Sequence, residues 1–123
     1  MVVTAPKSCP DAGGESSRVQ DQLKNVHQIC GRGHAFAAIL ADGSVVTWGN
    51  RKEGGDSSRV QDQLRNVQQI SGTHYAFAAI LADGTVVTWG NPIWGGDSSR
   101  VQDQLRNVQQ MCGTQSAFAA ILA

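Results

Sequence analysis

One stretch of this chain occurs three times. Gly13-Gly14-Glu15-Ser16-Ser17-Arg18-Val19-Gln20 returns, with only Glu exchanged for Asp, at 54–61 and again at 95–102, a period of 41 residues each time. From Gly95 onward the sequence copies 54–82 except where Ile70, Ser71, His74 and Tyr75 become Met111, Cys112, Gln115 and Ser116. Self-similarity at such a period is the signature of a repeat architecture, in which each unit covers an apolar face of its neighbour. The 123 residues are therefore read as one repeat domain, 1–123, with units at about 1–41, 42–82 and 83–123. The first unit is degenerate near its start, where Ala5-Pro6-Lys7-Ser8-Cys9-Pro10 replaces the Trp-Gly-Asn that follows Val-Val-Thr in the other copies.

Within the unit, the run Ala76-Phe77-Ala78-Ala79-Ile80-Leu81-Ala82 is apolar at every position, as a strand covered on both faces must be. Asp83-Gly84 follows as a two-residue hairpin signal, and then comes the β-branched run Thr85-Val86-Val87-Thr88 before Trp89. Upstream, Val67-Gln68-Gln69-Ile70 alternates apolar with polar and stops at Ser71-Gly72, which predicts a third, more exposed strand. Ser99 and Gln102 have capping-box spacing, and Val101, Leu105 and Val108 recur at i, i+4 and i+7. That pattern predicts a short helix over 100–106, with copies at 17–24 and 58–65. The expected fold is mainly β: tandem three-stranded units with one short helix each.

The stretch from Cys30-Gly31 through His34, Ala35-Phe36-Ala37-Ala38-Ile39-Leu40-Ala41, Asp42-Gly43 and Trp48-Gly49-Asn50 resembles the regulator of chromosome condensation repeat. The second unit keeps Gly72, Asp83-Gly84 and Trp89-Gly90-Asn91 of the same pattern, with Tyr75 in place of His34. The resemblance implies a β-propeller-like array, partial or closed by oligomerisation, of the kind known in a Ran exchange factor, a plant ultraviolet-B photoreceptor and HECT-type ubiquitin ligases. It also implies structural roles for Gly31, His34, Asp42, Gly43, Trp48, Gly49, Gly72, Asp83, Gly84, Trp89 and Gly90. The unit departs from the family after the Trp strand, where Gly-Gly-Asp-Ser-Ser replaces Gly-Gln-Leu-Gly, and its period is shorter than the family's roughly fifty residues, a length like that of kelch repeats.

Lys plus Arg and Asp plus Glu number 10 each, so the whole chain offers no field that draws in nucleic acid. No apolar run approaches the ~20 residues of a membrane helix, and the start lacks a basic-then-apolar leader; the expectation is an intracellular protein, cytoplasmic or nuclear. The three cysteines, Cys9, Cys30 and Cys112, include no close pair, and Cys30 and Cys112 share a position that is Ser71 in the middle unit, which argues for a small buried side chain over a metal site or nucleophile. His34, Asp42 and Ser44 would make a hydrolytic trio by type, yet His34 becomes Tyr75 and Ser116 in its siblings. Gly31-Arg32-Gly33 precedes a strand, where a phosphate loop precedes a helix. No cofactor, metal or catalytic set is expected.

The binding candidates are the positions that set one copy apart from another. Trp94 occurs once, beside Pro92, in a loop whose earlier copy holds Arg51 and Lys52; tryptophan and arginine are enriched at interface hot spots. His74 and Tyr75 form a second variable spot. The expected function is a non-catalytic repeat scaffold for an unidentified protein partner, the alternative being a fragment of a regulatory protein of the guanine-nucleotide exchange factor or HECT-type E3 ligase kind. Val2-Val3-Thr4 echoes the strand that follows each Asp-Gly and is expected to dock on 117–123, within one chain or by strand exchange in a homo-oligomer.

Overall fold

A computed structural model of the chain describes residues 25–122. It contains three antiparallel sheets in chain order, the first two simple three-stranded meanders and the third a strand pair. The first holds β1 (Val26–Arg32), β2 (Ala35–Leu40) and β3 (Val45–Gly49), and the second β4 (Val67–Gly72), β5 (Ala76–Leu81) and β6 (Val86–Gly90). The third holds β7 (Val108–Gly113) and β8 (Phe118–Leu122). All three expected strands of the complete unit are present. The repeat boundaries at 41/42 and 82/83 cut through the Asp-Gly turns, so the first two sheets straddle them, and the structural unit is one sheet with the loop that follows it, 25–65, 66–106 and 107–122. Among the described residues no helix is long and apolar enough to cross a membrane.

The Asp-Gly turns differ from the two-residue hairpin expected of them. Gly43 N–H donates to Leu40 O and Leu40 N–H to Ser44 O, each at 2.9 Å, so the loop is Ala41-Asp42-Gly43 with Gly43 in the left-handed region at φ 85°. Asp42 does not have positive φ, which a type I′ turn would demand of it; this is a three-residue loop closed by a glycine bulge. Asp42 Oδ1 accepts from both Ser44 N–H and the Ser44 hydroxyl, at 2.9 and 2.6 Å, and these bonds hold its carboxyl below the ordinary 3.8. Asp83 and Thr85 repeat the arrangement, with the same lowering.

Successive sheets lie face to face, because the middle strands have two apolar faces to cover. Ala35, Ala37, Ile39 and Val45 of the first sheet meet Val67, Ile70, Phe77, Ala79, Val87 and Trp89 of the second, with Leu64 closing the cluster. The opposite face of the second sheet, Ala78, Ile80 and Val86, meets Leu105, Val108 and Met111 with Phe118 and Ala120 beside them. Burying one such large aliphatic or aromatic side chain is worth about 1.5–3 kcal/mol. Trp48 and Trp89 lie flat on Phe36 and Phe77, ring centroids 5.3 and 5.6 Å apart.

Polar bonds set the offset between sheets. Val67 N–H donates to Gly43 O and Val108 N–H to Gly84 O, both at 2.9 Å, so each Asp-Gly turn also holds the first strand of the next unit. Trp89 Nε1–H donates across units to Gly54 O at 3.1 Å. Gly54 has φ 106° and a Cβ there would stand 2.5 Å from the Phe77 ring, so only glycine brings that carbonyl this close.

The expected short helix is much reduced. Residues 58–63 form hydrogen-bonded turns, and the copy in the third unit forms one 3-10 turn at Gln102–Gln104. Of the expected capping pair, the serines Ser58 and Ser99 bond to Asp56 and Asp97 two residues back, and the glutamines bind the preceding sheet, together with the neighbouring Ser57 and Ser98. Gln61 Nε2 donates to Val45 O at 3.2 Å and Gln102 Nε2 to Val86 O at 2.9 Å, while Ser57 and Ser98 hydroxyls meet Thr47 and Thr88 at 2.9 Å. Leu64 and Leu105 are buried, but Val101 stays 44 % exposed, so the apolar stripe is not seated as a whole. The position shared by Cys30, Ser71 and Cys112 is half-buried in the first two and exposed in the third, not buried as expected: Cys30 packs against the core between the first two sheets and Ser71 donates to Met111 O at 3.1 Å, whereas no described sheet follows the one that holds Cys112. The helix copy at 17–24 and the Val2-Val3-Thr4 segment lie outside the described residues.

Trp48 Nε1 is buried with no acceptor among the described residues, unlike Trp89 Nε1. Trp89→Phe is expected to destabilise by about 1–3 kcal/mol, because it leaves the buried Gly54 carbonyl unpaired. Urea unfolding measures the loss, and a stability equal to the parent's would contradict the assignment.

Candidate functional site

The turn between the first two strands of each unit and the loop after the third strand meet at the end of the sheets opposite the Asp-Gly turns. Backbone bonds enforce the meeting: Asn50 N–H donates to His34 O and Asn91 N–H to Tyr75 O, both at 2.9 Å. Each asparagine then caps a 3-10 turn, Asn50 over Arg51–Glu53 and Asn91 over Pro92–Trp94, its Oδ1 accepting from Lys52 N–H or Ile93 N–H at 3.0 Å. Pro92 suits the first position of such a turn because its missing N–H has no partner there to lose. The sequence reading treated both segments as plain loops.

This geometry brings together two positions that are 19 residues apart in sequence, and their chemistry changes from unit to unit. In the first unit they hold His34 and Glu53, with Nδ1 to Oε2 at 3.2 Å. In the second they hold Tyr75 and Trp94, packed edge to face with centroids 4.8 Å apart. His74 extends that group, its ring 5.5 Å from Tyr75. Three of the sequence candidates, His74, Tyr75 and Trp94, therefore form one half-buried aromatic group, with Ile93 beside it 85 % exposed. Thr73, almost wholly buried, fixes the group by donating its hydroxyl to Trp94 O at 2.7 Å.

The other two candidates, Arg51 and Lys52, are exposed and line a cleft of about 730 Å³ between the two post-strand loops. Arg59, Asp56, Asn91, Pro92 and Asp97 complete its walls, and Trp89 and Gly90 contribute from β6. Hydrogen bonds from Ser58 and Ser99 hold the Asp56 and Asp97 carboxyls below their ordinary value, with Arg51 and Arg59 adding to the effect on Asp56. Both candidate groups thus share the Asn91-Pro92 segment and one end of the stack.

The framework residues fall elsewhere, with one exception. Trp48 and Trp89 are buried, Gly31 and Gly72 sit opposite Phe36 and Phe77 in the strand register, and Gly49 and Gly90 end β3 and β6. Asp42-Gly43 and Asp83-Gly84 make the turns. His34 is the exception: half its side chain is exposed, and it occupies the variable surface. His34 stands at one end of β2 and Asp42 with Ser44 beyond the other, so the trio weighed from sequence is not assembled. Sequence reasoning missed Glu53 and Thr73. Aligning the loops would have exposed Glu53, since it is the counterpart of Trp94.

No protein-family model matches this chain, and no curated protein matches it either.

Thr73→Val is expected to release the Pro92–Trp94 turn and destabilise by about 1–3 kcal/mol, since it deletes the donor to Trp94 O in a buried place. Trp fluorescence would shift toward that of a solvated indole, and an unchanged spectrum and stability would show that the bond does not hold the group.

Proposed function

We propose that the chain is a non-catalytic repeat scaffold that binds a protein partner at the loop end of its stacked sheets, in an array of propeller type. One observation carries the reading. Between 25–55 and its copy 66–96, nine positions differ, and six of them, 32–34 and 51–53 against 73–75 and 92–94, fall at this single end. The residues that build the sheets are almost unchanged. A conserved frame carrying changed side chains at one edge is how repeat arrays present distinct surfaces from one backbone.

The chemistry of the patch supports the same reading. Tyr75 and Trp94 offer large, amphipathic area with few rotatable bonds, and Ile93 and Pro92 extend it without charge. The meander sheets and their face-to-face packing are compatible with a propeller, as is the resemblance to chromosome condensation repeats. Pairing of the chain with a second copy through a strand edge belongs to the same proposal.

Selection from a displayed peptide library against the immobilised chain tests the reading. The expected outcome is a binder whose affinity falls at least tenfold, about 1.4 kcal/mol, in Tyr75→Ala or Trp94→Ala and is unchanged by Ser44→Ala at the opposite end. Binders that respond only to the latter would contradict it.

A further inference from the structure

Arg51, Lys52 and Arg59 all border the cleft between the two loops, yet none is in an ion pair; among the described residues the one ion pair is His34 with Glu53. Asp56 and Asp97 border it too, but each has Oδ1 engaged by the N–H two residues on, at 3.0 Å. The cleft therefore carries three cations against two carboxylates, an excess of one positive charge, with Asp56 in the field of Arg51 and Arg59. Its volume of about 730 Å³ is within the range of about 300–1,000 Å³ usual for clefts that take a ligand. On the far wall Pro92 leads directly into Ile93 and Trp94, an apolar surface beside a cationic one.

We propose that this cleft binds an extended peptide segment of the partner through an acidic side chain held by Arg51, Lys52 and Arg59, with a neighbouring apolar residue on Pro92, Ile93 and Trp94. This rests on the display reading of the same end of the stack and specifies the partner's chemistry. A peptide fits the charge pattern better than a nucleic acid does. Phosphates recur along every nucleotide step and would meet Asp56 and Asp97 wherever the strand passed them, whereas a peptide can place one carboxylate among the cations and neutral residues elsewhere. Guanidinium groups also suit a carboxylate, since they bind it through two parallel N–H bonds. The paired loops leave the site open, so the segment enters without unfolding the framework.

Fluorescence anisotropy of the full chain with labelled peptides tests this, using a panel with glutamate beside an aromatic or aliphatic residue and a matched glutamine panel. The expected result is that a glutamate peptide binds at least tenfold more tightly than its glutamine counterpart, and that the preference shrinks as salt rises. Lys52→Glu and the milder Lys52→Gln should each remove most of the preference, with circular dichroism unchanged, while Arg65→Glu outside the cleft should not. Equal binding of the two panels would overturn the proposal, as would a preference indifferent to Lys52. A single-stranded oligonucleotide that binds more tightly than every peptide would also overturn it. Should glutamine peptides bind equally well but lose affinity in Trp94→Ala, the acidic cleft fails and the display reading stands. Should neither panel bind, the cleft proposal fails, and the library selection alone decides the display reading.

Discussion

The structure depends on a strand that has no polar face. Ala76 to Ile80 in β5 are all buried, and so are Ala35 and Ala37 to Ile39 in β2, so a sheet standing alone would leave both of its apolar faces in water. Stacking is the remedy, and alanine makes it close. Small side chains at 35, 37 and 79 let neighbouring sheets approach until Phe77 and Trp89 of one fill the space above Ile39 and Val45 of the other. Because each unit is stabilised by its neighbours more than by itself, cooperativity travels along the stack.

Covering both faces leaves only the sheet ends free to differ. At one end that freedom is small. The Asp-Gly turns accept from the first strand of the next unit, so a change there disturbs two sheets. At the other end the turn 73–75 and the loop 91–96 are held mainly by backbone groups and asparagine caps, which specify no side chain at 75, 93 or 94. That is why an ion pair and an aromatic pair can occupy the same two places.

The hairpins were legible because their signals are local: an apolar run, Asp-Gly, a β-branched run. The kind of turn was not, since whether Asp42 takes positive φ depends on the bulge at Gly43 and its bond to the next unit. The helix was over-read. Capping residues and an apolar stripe at 58–65 and 99–106 satisfy a helix rule, but Gln61 and Gln102 find acceptors on the preceding sheet and Ser58 and Ser99 bond to Asp56 and Asp97. At the candidate site, Trp94, His74 and Tyr75 were found through their variation between copies. That Trp94 touches Tyr75, and Glu53 touches His34, was hidden because the contact spans 19 residues and depends on two loops folding onto each other.

The central claim is that framework and surface are separable at the loop end. The most direct measurement is the urea unfolding of a variant carrying the first unit's pair in the second, Tyr75→His with Trp94→Glu. The expected free energy of unfolding lies within about 1 kcal/mol of the parent, with an unchanged denaturant slope, as befits substitutions at half-exposed positions. A loss of several kcal/mol, or a broadened transition, would mean that the aromatic pair holds the stack together and would contradict the claim.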